Sequence, residues 1–160
     1  MHAASLRVLD GRRFSAGLEI GCGCGAFTHA LAGRCDALLA TESDPARLMA
    51  AQIHCAALDN VQFAPEQMPL RTQDGSFDLI ALLHQLNDQS DRDILALARS
   101  VMSVAGPITT VLLVNHTGRL DRASGNDRAV GLFIEATADR LRRSLHRRAS
   151  HYRIDVLQSR

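Results

Sequence analysis

Three observations predict an α/β fold, a doubly wound and mostly parallel sheet with helices on both faces. Short apolar runs alternate with helix-length segments along nearly the whole 160-residue chain. The first apolar run leads directly into a glycine loop, "LEIGCGCGAFTHAL" at residues 18–31. A later run, "SFDLIALL" at 76–83, is almost wholly apolar, as a strand buried on both faces is. Repeated strand–helix–strand order closes as a parallel sheet between two helix layers. Ligands of such sheets bind at the carboxyl ends of the strands, near the point where strand order switches, so a loop after the first strand should line the site.

The elements follow in order. "GLEIGC" (17–22) reads as the first strand, and "GAFTHALAGR" (25–34) as a helix ending at Gly33. "DALLATE" (36–42) is the second strand. "DPARLMAAQIHCAALD" (44–59) opens with Asp44 as N-cap and Pro45 in the first turn, and Leu48, Ala51, Cys55 and Leu58 share one helical face. "VQFA" (61–64) and "SFDLIALL" are strands three and four. "DRDILALARSVMSVAG" (91–106) is a helix closed by Gly106, and "PITTVLLVNH" (107–116) the fifth strand. "GNDRAVGLFIEATADRL" (125–141) contains another helix, and "RRSLHRRA" with "HYRIDVLQ" forms a closing antiparallel pair.

Bulk properties exclude several function classes. The length suits one domain, residues 1–160, with a substantial core. Hydrophobic residues make up 46% and charged residues 22%, ordinary for a globular protein. A net charge of +1 selects no polyanionic partner, and 4% aromatics give little surface for stacking nucleic acid, so no nucleic-acid partner is expected. No stretch approaches the roughly 20 apolar residues of a membrane span, and the first residues lack the apolar core of a signal peptide. Cys22, Cys24, Cys35 and Cys55 show no paired CxxC spacing, so neither a metal site nor a disulfide framework is expected. A cytoplasmic location with reduced thiols is the expectation. All 18 basic residues are Arg, and seven of them fall between Arg140 and Arg160.

The glycine loop admits three readings. Cys22-x-Cys24 offers at most two soft ligands where structural zinc takes four. Gly21-Cys22-Gly23-Cys24-Gly25-Ala26 fits the G-x-G-x-x-A dinucleotide pattern by letter. Glu19, two residues before the first glycine, extends this to E-x-G-x-G-x-G; a carboxylate there is a poor neighbour for pyrophosphate and a good one for a cation. Three glycines permit close backbone approach and positive φ, and the helix that follows favours a ligand carboxylate. An amino acid joined to a nucleoside, with a sulfonium nearby, meets all these demands. Glu42, at the end of the second strand, can accept both hydroxyls of a ribose in a dinucleotide or a methyl-donor site.

The stretches "LEIGCGCGAFT", "ATESDPARLMAAQ" and "NVQFAPEQMPLRTQDGSFDLIALL" together resemble the class I S-adenosylmethionine-dependent methyltransferases, from about residue 17 onward. The resemblance implies a Rossmann-like sheet of about seven strands, the last antiparallel. Within that superfamily the chain looks most like the nodulation protein S group, through "LEIGC…GAFT", "ALLHQLND" and "NHTGRLDRASGNDRAVGLFIEAT". That group methylates an amine on an amino sugar. The resemblance implies S-adenosylmethionine as cofactor. Glu19, Gly21, Cys22, Gly23 and Gly25 would hold its methionine end, Glu42 its ribose, and Ser43, Gln67 and Met68 its adenine.

The sequence departs from the family in three places. The usual Asp after the third strand falls on Ala64, followed by Pro65, so either Glu66 or Gln67 substitutes or backbone groups read the adenine. Only about 16 residues precede the first strand, so the N-terminal lid helices are missing or much shortened and the site should be wet. His84 stands where the group often has Glu; a neutral His can take a proton from an alkylammonium acceptor. His116, after the fifth strand, is a second catalytic candidate. The C-terminal arginines read as a solvated edge hairpin that discourages edge pairing, or as a surface for an anionic acceptor.

The expected function is therefore methyl transfer to a small-molecule acceptor with an amine, with no membrane partner and with a homodimer or accessory partner covering the site. The alternative is a non-catalytic or partner-dependent donor-binding module. A nicotinamide-dependent reductase is disfavoured by Glu19 and by "GSFDLI".

Overall fold

The computed structural model describes residues 2–66, 76–87, 89–117 and 123–160. The elements, in chain order, are α1 (His2–Arg7), β1 (Phe14–Ile20), α2 (Ala26–Ala32), β2 (Cys35–Glu42), α3 (Pro45–His54), β3 (Val61–Pro65), β4 (Phe77–Leu83), α4 (Asp91–Val104), β5 (Ala105–His116), α5 (Ala123–Ala136), β6 (Leu141–Arg148) and β7 (Tyr152–Ser159). The strands form one seven-stranded sheet in the order β3-β2-β1-β4-β5-β7-β6. β1 to β5 are parallel, while β7 runs antiparallel between β5 and β6. The predicted α/β sheet with an antiparallel closing strand is the observed one.

Period-two alternation divides the sheet into two cores. Leu18, Ile20, Ile80, Leu82, Val111 and Leu113 face α4 and α5, meeting Ile94, Val101, Val130 and Phe133. Phe14, Leu79, Ala81, Leu112 and Val114 face the other way, meeting Phe27 and Leu31 of α2 and Leu9 after α1. The helices begin as their sequences dictate. The Asp44 carboxylate accepts from the amides of Ala46 and Arg47, and Ser90 Oγ accepts from Asp93. On α3, Ala51 and Cys55 are buried and Met49 and Ile53 exposed. Ahead of β1 stands one short helix, α1.

Several boundaries differ from the sequence reading for tertiary reasons. β1 begins at Phe14, not Gly17, because the Asp78 carboxylate accepts from the amides of Ser15 at 2.8 Å and Ala16 at 3.0 Å. α3 ends at His54, with Cys55 as its cap, so 55–59 are turn. α4 ends at Val104 and β5 starts at Ala105, so Gly106 lies within the strand. There an added Cβ would come within 3.0 Å of Ser76 Oγ. β6 is the solvated edge, and its arginines are exposed.

Strand order reverses between β1 and β4. The loops leaving their carboxyl ends, 21–25 and 84–87, therefore open a crevice at that point.

Candidate functional site

The 21–25 loop is shaped by its glycines. Gly21, Gly23 and Gly25 have φ of 71°, 58° and 84°, left-handed values that side chains rarely adopt. A Cβ on Gly21 would lie 1.9 Å from Gln85 Nε2, so Gln85 packs directly on the loop backbone. A Cβ on Gly25 would lie 3.0 Å from the Ala51 Cα, so this glycine lets α3 approach. Around Gly23 there is open space. The loop is tied to β2 by the Cys22 amide, which donates to Thr41 O at 2.8 Å, and by the Gly23 amide, which donates to Glu42 Oε2 at 2.8 Å.

Three carboxyl groups gather at this loop, each for a different local reason. Glu19 is 1% exposed, and its Oε2 is buried with no hydrogen-bond partner among the described residues. Burial pushes its pKa from 4.5 up to about 7, with Thr28 opposing the rise in part. Glu42 accepts from Gly23 through Oε2 and from the Asp44 amide at 3.0 Å and Ser43 Oγ through Oε1. A carboxylate has about four lone-pair sites, so it retains capacity for a ligand. Glu66 follows β3, its amide donating to Glu42 O at 2.9 Å. Burial, and then the charge of Glu42, raise its carboxyl above the ordinary range.

His84 leaves β4 with φ of 61°, in the left-handed region. The His116 amide donates to its Nδ1 at 3.2 Å, which assigns the proton of the neutral ring to Nε2. That Nε2 is buried without a partner among the described residues. The two histidine rings stack with centroids 4.0 Å apart. Burial, then His116 and His2, push the His84 pKa down from 6.5 to about 4.

These groups enclose a cavity of about 420 Å³, lined by Glu19, Gly21, Cys22, Gly23, Glu42, Ser43 and His84 of the sequence candidates. Gly25 shapes the loop but does not line the cavity, and His116 reaches it only through His84. Gln67 and Met68 lie outside the described residues. Sequence reasoning missed His2, Phe27, Arg47 and Gln85, which also line it. Only Gln85 carried a signal, its place directly after the fourth strand. Cys22 lines the wall as a small buried thiol, pushed up to about 12 mainly by burial. Among the described residues no three His, Cys, Asp or Glu side chains converge as a metal site, and all four cysteines are free.

The cavity volume falls in the range of small-molecule sites, roughly 300–1,000 Å³. Its chemistry suits a ligand with a cationic group near Glu19, hydroxyls near Glu42 and a flat polar ring near Glu66.

A family model described as a methyltransferase domain matches residues 18–107. No curated protein sequence matches the chain. Among solved structures, a candidate methyltransferase from Pseudomonas syringae is 22% identical with a TM-score of 0.83, over 99% of this chain and 96% of that one. The N-methyltransferase NodS from Bradyrhizobium japonicum WM9, in complex with S-adenosyl-L-homocysteine, is 19% identical with a TM-score of 0.82, over 99% and 85%. A SAM-dependent methyltransferase from Aquifex aeolicus is 14% identical with a TM-score of 0.80, over 99% and 89%. At these identities the likeness is one of fold.

Proposed function

Because this chain belongs to the methyltransferase-domain family, we propose that it transfers a methyl group from S-adenosylmethionine to a small-molecule amine, with an amino sugar as the leading acceptor class. The observation that carries the reading is the placement of Glu19, Glu42 and the open backbone at Gly23 around one cavity at the strand switch point.

The residues present fit the donor. Glu19, with a buried carboxyl oxygen unpartnered among the described residues, would hold the donor's ammonium. Gly23, with open space where a side chain would stand, would admit the methionine portion. Glu42 would accept from the ribose hydroxyls while keeping its grip on the loop. Glu66, which lines the cavity next to Ala64 and Pro65, would accept from the adenine amine. The donor, when bound, supplies an electrophilic methyl group on sulfur.

What remains for the protein is alignment, the largest contribution available to a reaction of this type. His84 acts here as a neutral hydrogen-bond donor through Nε2, since its Nδ1 is committed to the His116 amide. It orients the acceptor and does not serve as the proton sink. An amine acceptor is supported by the sequence resemblance to the nodulation protein S group and by the shared fold of NodS, itself an N-methyltransferase.

Calorimetric titration with S-adenosylhomocysteine tests the donor site. Wild type binds at about micromolar affinity, and Glu42→Ala loses binding by roughly a hundredfold. Transfer of labelled methyl to a panel of amines, amino sugars included, then tests the acceptor. Absence of donor binding by wild type sinks the proposal. Donor binding with no transfer to any amine points instead to a donor-binding module.

A further inference from the structure

A second cavity, of about 470 Å³, lies on the sheet face that carries α1 and α2 and toward the amino end of β5. It is lined by the turn after α1 and by the β5–β7–β6 end of the sheet, with Arg7, Arg12 and Arg147 around it. On β5 it centres on Thr110, six residues before His116, or roughly 20 Å along the strand. It is therefore separate from the site described above.

The three guanidinium groups reach it from different elements. Arg12 is fixed in place. Its Nη1 donates to Thr110 Oγ1 at 3.1 Å, and its guanidinium lies 5.0 Å from the centre of the Phe14 ring. Arg147 is paired across the hairpin with Ile154, and Leu145 with Val156. Arg147 thus projects on the same face as Leu145, which packs into the core beside the groove. Arg7 closes α1.

The convergence of the arginines sets this groove apart, not their pairing alone. Arg13, Arg47, Arg128, Arg143, Arg148 and Arg153 all form ion pairs with carboxylates. Among the described residues Arg7, Arg12 and Arg147 form none, and the same is true of scattered arginines such as Arg92 and Arg142, but these three line one groove, together with Asp10. Three cations face one carboxylate there, leaving an excess of two positive charges. Thr110, Ser144 and Gln158 add neutral hydrogen-bonding groups.

We propose that this groove binds a small organic molecule carrying two or more oxyanion groups, phosphates or carboxylates. Guanidinium groups recognise both through paired charge-assisted hydrogen bonds. The volume, within the range of small-ligand sites, holds more than a single ion.

Calorimetric titration with pyrophosphate and, separately, with citrate at about 0.15 M ionic strength tests the proposal and separates the two chemistries. Wild type binds at least one of them, and Arg12→Gln with Arg147→Gln weakens that binding by roughly tenfold or more. Binding of pyrophosphate alone assigns a phosphorylated ligand; comparable binding of both assigns a general multivalent anion. S-Adenosylhomocysteine affinity is unchanged in the double variant within about twofold, since the sites are independent. Both arginines are exposed, and an unchanged melting temperature confirms the fold; Arg147→Gln alone serves if the pair does not fold. The proposal is overturned if neither anion binds, if binding survives the double variant, or if a short oligonucleotide binds more tightly than either anion.

Discussion

His84 and His116 lie ring on ring, centroids 4.0 Å apart and planes 12° from parallel, while the His116 amide donates to His84 Nδ1. Two imidazoles in this arrangement resist carrying charge together. His84 is held at about 4, below its ordinary 6.5, chiefly by burial. The folded protein therefore binds fewer protons at this site than the unfolded chain between those values. Its contribution to stability is complete above pH 6.5 and is lost as pH falls toward 4. In an NMR titration the His84 ring signals stay flat from pH ~5.5 to ~8. His116→Ala, which removes the stacked ring and spares the backbone donor, moves the His84 midpoint upward. A His84 midpoint near its ordinary value in wild type contradicts the neutral-donor role.

Glu19 gives the opposite sign. Its carboxyl is protonated in the folded state up to about 7, where the unfolded chain has already ionised near 4.5. The folded state binds more protons in that window, so stability falls as pH rises through it. The shift from 4.5 to about 7 corresponds to ~3 kcal/mol above the window. Glu19→Gln should therefore melt higher than wild type at pH ~8 and close to it at pH ~4. The same substitution should weaken S-adenosylhomocysteine binding by roughly tenfold or more. Wild-type binding of that ligand, whose ammonium faces Glu19, should release protons near neutral pH, read as a dependence of binding heat on the buffer. A variant that melts lower at pH ~8 is inconsistent with an unpaired, desolvated carboxyl.

The loop glycines separate fold from ligand. Gly21→Ala forces a left-handed backbone onto alanine and turns the flexible end of Gln85 away from the cavity wall, and is expected to cost about 1–2 kcal/mol in urea unfolding. Gly23→Ala meets nothing and carries only the backbone cost of about 1–2 kcal/mol. Its methyl points into open cavity space, so donor affinity should fall more than stability does. A Gly23→Ala variant that loses stability yet binds the donor as tightly as wild type would falsify this placement of the ligand.

Much of this architecture is legible in the chain because it is locally encoded. Asp44-Pro45 starts α3 as its capping chemistry requires, and Ser90 starts α4. Glu19 and Glu42 are readable because a strand end and a glycine loop fix where they point. What is not legible depends on partners distant in sequence. The start of β1 at Phe14 depends on Asp78, 63 residues beyond Ser15. Gln85 becomes a wall of the cavity only through its contact with Gly21, and the tautomer of His84 is set by an amide 32 residues away. Arg147, read from sequence as edge charge, also lines a groove because the turn after α1 brings Arg7 and Arg12 beside it.

Arg153 and Asp155 form the most deeply buried ion pair among the described residues, with Arg153 Nε 2.8 Å from Asp155 Oδ2. Asp155 is also contacted by His146 and Arg143, and Arg153 by Asp127 of α5. Removing Arg153 takes the two-pronged guanidinium off the fully buried Asp155 and leaves it only His146 and the longer contact to Arg143. Arg153→Met should therefore cost about 3–5 kcal/mol in urea unfolding. Arg153→Met with Asp155→Leu should recover much of that loss, because two apolar groups replace two charges. A single variant as stable as wild type would show that the pair is dispensable.

The place of β7 between β5 and β6 has a consequence for the protein while it is being made. β7 follows both neighbours in the chain. A ribosome adding ~5–20 residues per second makes β5 seconds before β7, the strand that covers its edge. β6 neighbours β7 alone, so it joins the sheet only as the outer half of the hairpin with β7. The exposed arginines of β6 then mark the finished edge. Completion of the sheet is thus the late docking of a hairpin onto β5.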